Sequence, residues 1–250
     1  MSCTASFTGH AGARNCKFLE KVTITDVACK GDSNWKQYAV HAPDVPIRKI
    51  AEFNKHKFEM MLDPAVQEMP VQSMITNPSP NDIIAAAKAG AKSIKVKGIA
   101  WGGGGSGVNR VDVSLDNGEH FTRADMLDKP VEERRRSQWS WVFFEKNLPI
   151  PDHLREKLSA GEKVDLVLTS KALNAAWNVQ PKQENWNAHG CCVNHWYRVP
   201  VTLDPKRTED KRAEEGEFAN KPSGGKFTSP FRNLDSPEEL KLRQAGVKLP

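Results

Sequence analysis

The sequence lacks any apolar run that approaches the roughly 20 residues needed to span a bilayer. Only 38% of its 250 residues are hydrophobic, which is low for a compact globule. We therefore expect part of the chain to be poorly packed. The N-terminus has no basic region followed by an apolar core, so it shows no secretory signal. The sequence thus gives no indication of a membrane partner.

A strong charge of one sign is also missing. The chain has 36 basic and 31 acidic residues, for a net charge of +5. Because both signs are mixed along the chain, this balance does not indicate a nucleic-acid partner. The densest basic segment, residues 132–136, is interpreted as a solvated loop.

The sequence also lacks the cysteine pattern of a disulfide framework. The five cysteines are odd in number and irregularly spaced. This pattern argues against stabilising bridges and for a reducing or redox-neutral compartment.

Several short segments alternate apolar and polar residues, as half-buried strands do. Asn117 and Gly118 form the pair favoured in a two-residue hairpin turn, since both tolerate positive φ. Strands separated by loops rich in Gly, Pro and Asn predict a mainly β fold, a β-sandwich. The predicted strands lie within residues 17–27, 92–101, 107–121, 138–148, 162–173 and 195–203.

Residues 205–250 have a different composition, with mixed charges, Pro and Gly and few core residues. We expect most of this tail to be irregular or disordered. A short helix could form within residues 236–246, where Ser236 can cap the start and Gly246 can end it.

The glycine-rich stretch WGGGGSG at residues 101–107 resembles a phosphate-binding loop at first sight. A P-loop needs Lys followed by Ser or Thr at the start of a helix, and a dinucleotide fingerprint needs the same helix. Here Val108 opens a predicted strand instead. We therefore interpret the stretch as a flexible or tightly packed turn between two strands.

The stretch WNAHGCCVNHWYR at residues 186–198 carries two histidines and two adjacent cysteines. Structural zinc sites favour cysteines two to four residues apart, whereas adjacent cysteines on a strand point to opposite faces. A catalytic Cys/His pair would need an orienting group and an oxyanion hole, and the sequence shows neither. Both alternatives stay open but are disfavoured.

Seven tryptophans are an unusual number. Most of them fall in or beside predicted strands. The simplest interpretation is a sandwich core built from aromatic side chains.

In this order, the segments VKGIAWGGGGSGVNRVDVSLDNGEHF, WSWVFFE, KALNAAWNVQP and WNAHGCCVNHWYRV resemble the C-terminal part of the sulfite oxidase and nitrate reductase family of molybdenum-cofactor oxidoreductases. The segment GARNCKFLEKVTI at residues 12–24 resembles the last conserved piece of that family's molybdopterin-binding domain. The resemblance covers residues 11–203.

The resemblance implies a domain organisation. Residues 1–69 would be the end of an α+β molybdopterin-binding domain with a linker. Residues 70–204 would be an immunoglobulin-like dimerisation domain, and residues 205–250 an extended or disordered tail.

The resemblance also implies cofactor-binding residues. By motif position Arg14, Asn15, Cys16 and Lys17 would contact molybdenum-molybdopterin. A guanidinium, an amine and backbone N–H groups suit a phosphate or a pyran edge. The alternative is that they are ordinary surface residues before a strand.

His189 occupies the position at which the sulfite oxidases carry an arginine that reaches the anionic substrate. A neutral imidazole has one donor and is a weaker anion clamp than a guanidinium. His189 is therefore expected to line the substrate site without gripping sulfite as arginine would. The nitrate reductases also lack arginine there, so the substrate could be sulfite or nitrate. Cys191 and Cys192 replace aliphatic residues and are expected to act as small hydrophobes.

The implied activity is that of a molybdenum-dependent oxidoreductase of sulfur metabolism, which transfers an oxygen atom and converts sulfite to sulfate. The family's metal-ligand cysteine has no counterpart here, so the chain is expected to be inactive by itself. The alternatives are a non-catalytic dimerisation module and a nitrate-reductase-like fragment. A generic adhesion-type sandwich would not explain the segments at residues 12–18 and 178–181.

The expected partners are a second copy or a full-length family member, with a haem domain or a cytochrome as a possible electron acceptor. Family members occur in the mitochondrial intermembrane space, in peroxisomes and in the cytosol. The sequence alone leaves the localisation open.

Overall fold

The computed structural model describes residues 4–5, 9–27, 31, 38–40, 64–86, 92–127, 138–187, 189–208 and 210. The chain divides into two compact units, Met1–Arg212 and Ala213–Pro250. The predicted tail helix at residues 236–246 lies outside the described residues. None of the helices among the described residues is long and apolar enough to cross a membrane.

The first unit is built mainly from strands. They are β1 (Thr4–Ala5), β2 (Cys16–Lys17), β3 (Gln72–Asn77), β4 (Ile83–Ala85), β5 (Ser93–Trp101), β6 (Val108–Ser114), β7 (Thr122–Arg123), β8 (Asp125–Met126), β9 (Val142–Pro149), β10 (Val164–Asn174) and β11 (Tyr197–Asp204). A 3-10 helix spans Gly12–Arg14, and an α-helix, α1, spans Asp152–Ser159.

Two sheets form the sandwich. One has five strands in the order β4-β11-β10-β6-β7, and the other has four strands in the order β3-β5-β9-β8. Strands β4 and β11 are parallel, and the other pairs in both sheets are antiparallel. The predicted mainly β sandwich is therefore confirmed.

The core lies between the sheets because alternate residues of the long strands point inward. In β5, Ile94, Val96 and Ala100 are buried, while the lysines between them are exposed. Phe144 of β9 in the four-stranded sheet and Leu168 of β10 in the five-stranded sheet are both fully buried in this core. Burying side chains of this size stabilises the fold by about 1.5–3 kcal/mol each.

The glycine stretch joins β5 to β6, as predicted for a tightly packed turn. Gly103 has a φ of +71° and lies against the chain of Met69. A Cβ there would fall 1.7 Å from the Met69 carbonyl oxygen, so only glycine fits. Asn117 and Gly118 also have positive φ, as the predicted turn requires.

The predicted strand at residues 17–27 is wrong. Only Cys16 and Lys17 lie in a strand, where they pair with β1. The alternating apolar residues beyond them are exposed, and Ile24 keeps 96% of its surface in solvent. An alternating pattern makes a strand only where a neighbouring strand accepts its backbone hydrogen bonds. The described residues offer none to this segment.

The prediction that the tryptophans build the core is also wrong. Trp139, Trp141, Trp177 and Trp186 are exposed, and Trp196 is half-buried. Aliphatic residues and Phe144 fill the space between the sheets instead. Trp141 and Phe143 fall outside because inward positions of β9 begin at Val142 and continue at Phe144.

Candidate functional site

The N-terminal segment is held beside the start of the sandwich by backbone hydrogen bonds. The N–H of Ala11 donates to the carbonyl of Gln67 at 2.8 Å, and the N–H of Met69 donates to the carbonyl of Gly9 at 3.1 Å. These bonds place the 3-10 turn at Gly12–Arg14 next to the chain that enters β3.

The loop of residues 189–196, which leads into β11, is shaped by two asparagines. Asn187 brackets the turn: its Nδ2 donates to the carbonyl of Cys191 at 2.8 Å, and its Oδ1 accepts from the N–H of Cys191 at 3.0 Å. Asn194 donates from Nδ2 to the carbonyl of Val71 at 3.1 Å. The bond from Asn194 ties the loop to Val71, the residue that precedes β3.

Gln180 anchors the same loop to both sheets. Its Oε1 accepts from the Ser73 hydroxyl at 2.7 Å and from the Ala172 N–H at 2.8 Å. Its Nε2 donates to the carbonyls of Asn194 and His195 at 3.1 and 3.0 Å. Gln180 is only 1% exposed, so these four bonds satisfy a side chain that would otherwise be costly to bury.

Trp196 fixes the far end of the loop. Its indole N–H donates to the Gln180 carbonyl at 2.9 Å, and its ring meets Phe121 edge-on at a centroid distance of 5.0 Å. The Lys171 ammonium lies 3.8 Å from the centre of the Phe121 ring, a favourable cation–π distance. The loop is therefore held at both ends.

A cavity of about 370 Å³ lies where the N-terminal turn and this loop meet. It is lined by Ala11, Gly12, Ala13, Tyr38, Val66, Met69, Pro70, Gln72, Trp101, Gly190, Cys191, Cys192 and Val193. The lining is largely apolar. Trp101 Nε1 is buried and has no acceptor within the described part of the chain. The apolar lining therefore suits a largely uncharged group.

The predicted site residues lie around this cavity more than in it. Ala13 lines it, and Arg14 follows directly but is not among the lining residues. Asn15, Cys16 and Lys17 are exposed. His189 is half-buried and immediately precedes the lining residue Gly190. The structure thus brings the two predicted segments together through Gly12–Ala13 and the turn at residues 190–193.

Burial sets the protonation of the groups near the cavity. It raises the pKa of the Cys191 thiol, and burial together with the neighbouring Cys191 raises the pKa of Cys192. Burial and then the positive charge of Arg198 lower the pKa of His195 below its ordinary 6.5. At neutral pH both thiols are therefore protonated and His195 is neutral.

Across the described ranges no group of three or more His, Cys, Asp or Glu side chains is arranged to hold a metal ion. Sequence reasoning missed Trp101 and Gln180 as site residues. Gln180 lies in the segment NVQP, which the motif comparison had singled out. The sequence does not show that its side chain is buried, so its role could not be predicted.

Comparisons with known proteins add evidence on ancestry. Residues 63–204, more than half of the chain, match the family described as the Mo-co oxidoreductase dimerisation domain. The human protein named "Sulfite oxidase, mitochondrial" is 32% identical over 199 residues, which cover 79% of this chain and 32% of that protein. The chain thus spans about a third of the length of that relative.

Two plant relatives and one solved structure agree. Arabidopsis thaliana sulfite oxidase is 27% identical over 202 residues, covering 78% of this chain and 45% of that protein. Lotus japonicus nitrate reductase [NADH] is 28% identical over 199 residues, covering 78% and 20%. The sulfane dehydrogenase SoxCD from Paracoccus pantotrophus, at 19% identity and a TM-score of 0.51, covers 83% of this chain and 44% of its own. This last match shows a shared fold. The chain belongs to the Mo-co oxidoreductase dimerisation-domain family.

Proposed function

We propose that this chain supplies one wall of the cofactor pocket in a molybdenum-dependent oxidoreductase that oxidises sulfite to sulfate. The observation that carries the proposal is the shared cavity, because the segment at residues 11–13 and the turn at residues 190–193 line the same space. Relatives named sulfite oxidase support sulfite as the substrate. A nitrate reductase among the relatives makes nitrate the competing substrate.

The residues of the cavity fit part of molybdopterin. Gly12 lines the cavity without a side chain, and no atom lies within 4 Å of the place where its Cβ would stand, so the backbone leaves room for part of a ring. Arg14 and Lys17 follow in sequence and are the proposed partners of the phosphate, with Asn15 and Cys16 between them. The bound cofactor would supply the oxygen-atom transfer and accept the two electrons. The chain's own residues bind and orient the pterin.

His189 is the proposed contact to the oxyanion substrate, since it borders the cavity at Gly190. As a neutral imidazole it donates one hydrogen bond, and as an imidazolium it donates two. By resemblance to the family, the metal-ligand cysteine has no counterpart in this chain. We therefore propose that this chain orients the cofactor but does not hold the molybdenum and is inactive by itself. Electron transfer to a haem domain or cytochrome belongs to the same proposal, and so does a mitochondrial location.

Cofactor content tests this proposal directly. The chain is produced in cells that make molybdopterin, and pterin is measured by fluorescence and molybdenum by elemental analysis. We expect bound pterin below one per chain, with no more than a trace of molybdenum. Ala13→Trp should remove the pterin because the indole fills the cavity, whereas the control Ala160→Trp alters an exposed helix end. Equal pterin in the two variants, or none in the wild type, would refute the proposal.

A second candidate function is self-association, and exposed aromatic residues favour it. Met74, Ile99 and Phe143 lie side by side in register across the four-stranded sheet. Phe143 is exposed, and Trp141, two residues before it, is exposed as well. We name these four residues the aromatic face. A sheet face carrying exposed Trp and Phe is the kind of surface that forms interfaces.

A second copy of the chain is the proposed occupant of the aromatic face, because the matched family is defined as a dimerisation domain. Sedimentation velocity of the whole chain should show a dimer. Trp141→Ser should weaken its dissociation constant at least ~10-fold, as expected for a tryptophan near the centre of an interface. Trp177→Ser, which alters a more exposed tryptophan outside this face, is the control. A monomer at high concentration, or equal effects of the two variants, would contradict the proposal.

A further inference from the structure

Cys191 and Cys192 form an adjacent pair of free thiols that line one cavity. In an extended strand they would point to opposite faces. Here they lie in a turn in which Cys192 has a φ of +57°, and Asn187 clamps the backbone of Cys191 at both its N–H and its carbonyl. The turn therefore brings both side chains to the same side.

A direct bond between these two sulfurs is disfavoured by geometry. Consecutive Cα atoms across a trans peptide lie about 3.8 Å apart, whereas disulfides favour Cα separations of about 4.4–6.8 Å. A disulfide between neighbours is therefore strained and easily reduced. An atom that bridges the sulfurs lengthens the ring and relieves this strain, so the pair suits a bridging ligand better than a disulfide.

The surroundings select a soft ligand. Tyr38, Met69 and Trp101 share the cavity with the two thiols and give it a largely apolar lining. Burial raises the pKa of both thiols, so both carry their protons at neutral pH. Sulfur donors favour soft centres over hard ones. A bare metal ion would need further donors, and the described residues hold no cluster of three.

We propose that Cys191 and Cys192 are a dithiol site for trivalent organoarsenic compounds and related soft electrophiles that take two sulfur ligands. An arsenic atom of this class already carries one carbon substituent, so two sulfurs complete its coordination. In the reaction with an arsine oxide, two As–S bonds form and the As=O bond breaks. The oxygen leaves as water with the two thiol protons, and neither sulfur nor arsenic changes its oxidation state. The organic substituent would lie among the apolar residues of the cavity.

Phenylarsine oxide is the probe for this site. One equivalent is added to the whole chain, and the product is followed by intact mass spectrometry and located by peptide mapping. We expect one phenylarsenic group, less two hydrogens, on the peptide that carries Cys191 and Cys192. A dithiol such as 2,3-dimercaptopropanol should remove it, whereas glutathione should not. Cys191→Ser and Cys192→Ser should each weaken binding by roughly 10²-fold, because the second As–S bond is intramolecular.

Cys16→Ser is the matched control, since Cys16 is an exposed thiol outside the cavity. It should keep the full adduct. Prior treatment of the wild type with the arsenical should also protect Cys191 and Cys192, and no other cysteine, from N-ethylmaleimide. This second measurement needs no variant, so it holds even if one serine substitution prevents folding.

Three results would overturn the proposal. The adduct could map to Cys3, Cys16 or Cys29, or persist unchanged in Cys191→Ser. The wild-type chain could also lack two hydrogens before treatment, with peptide mapping locating the loss to Cys191 and Cys192, which would mean that the pair is already a disulfide. None of these readouts involves molybdenum or turnover, so they are independent of the proposed oxidoreductase function.

Discussion

Replacing Gln180 by alanine should destabilise the sandwich and release the loop of residues 189–196. Gln180 is nearly fully buried and makes four hydrogen bonds that link the interior of the two sheets to that loop. The substitution removes both the acceptor and the donor of the amide. It leaves the groups that faced them inside the protein.

The magnitude follows from counting which groups lose a partner. Ser73 keeps its contact with the Ser170 hydroxyl at 3.0 Å, and the carbonyls of Asn194 and His195 lie in a half-buried loop that water can reach. The Ala172 N–H is the buried group that loses its side-chain acceptor. One or two orphaned groups at about 1–3 kcal/mol each, together with the small void, give a loss of about 2–4 kcal/mol.

Urea unfolding measures this loss. With a denaturant slope of about 1–3 kcal/mol per molar, the unfolding midpoint of Gln180→Ala should fall by roughly 1 M or more. Hydrogen exchange in the same variant should accelerate at the amides of residues 190–196, because the carbonyls of Asn194 and His195 lose the side-chain donor that anchors the loop. Gln183→Ala is the control, since Gln183 is an exposed glutamine three residues away.

Two outcomes would refute the reasoning. Equal midpoints for Gln180→Ala and Gln183→Ala would mean that the four hydrogen bonds contribute no net stability. A lower midpoint without faster exchange in the loop would mean that Gln180 stabilises the sheets but does not position the loop.

Two further predictions concern turns. Gly103→Ala should lower the melting temperature more than Gly161→Ala. Both glycines have positive φ, a conformation that costs a residue with a Cβ about 1–2 kcal/mol. Only at Gly103 would the added Cβ also clash with the backbone, at the Met69 carbonyl. Burial raises the pKa of Asp116, but hydrogen bonds from the His120 backbone, the Ser114 hydroxyl and the His120 ring outweigh it, lowering the pKa from 3.8 to about 2. The ionised Asp116 carboxylate therefore stabilises the fold above pH 3.8, and this stabilisation is lost as the pH falls towards 2. Acid unfolding of Asp116→Asn should lack the loss of stability between these pH values. A pH dependence like that of the wild type would contradict this role of Asp116.

The sandwich could be predicted from the sequence because several of its strands alternate apolar and polar residues. In β5, Ile94 and Val96 alternate with Lys95 and Lys97, and the lysines lie on the solvent side. The turn at Asn117 and Gly118 was predictable because Asn and Gly are the residue types that most readily adopt positive φ. These local signals agree with the long-range pairing, so the fold follows from them.

The segment at residues 17–27 shows where alternation fails as a signal. Val22 and Ile24 alternate as well as the residues of β5 do, yet both are exposed. Alternation states which face of a strand would be buried, but it does not state that a partner strand exists. The aromatic residues mislead in a similar way. Trp141 and Phe143 are residue types that usually fill a core, but here both side chains are exposed on the surface.

The cavity was only partly predictable, for a geometric reason. Residues near positions 14 and 189 were identified from motifs, but the lining comes from their neighbours Ala13 and Gly190. Which residue of a motif faces a cavity depends on the turn that presents it. The Gln180 anchor links that turn to residues distant in sequence such as Ser73, and such contacts leave no periodic trace in the sequence.

The cavity and the aromatic face occupy the same side of the four-stranded sheet. Ile99 and Trp101 alternate with the buried residues of β5, so both point away from the core, one towards the aromatic face and the other into the cavity lining. A second copy docked on Phe143 would therefore come close to the cavity without needing to enter it. Because Trp141 does not line the cavity, Trp141→Ser should weaken the dimer while leaving the arsenical adduct at Cys191 unchanged. Loss of both together would show that self-association itself shapes the cavity.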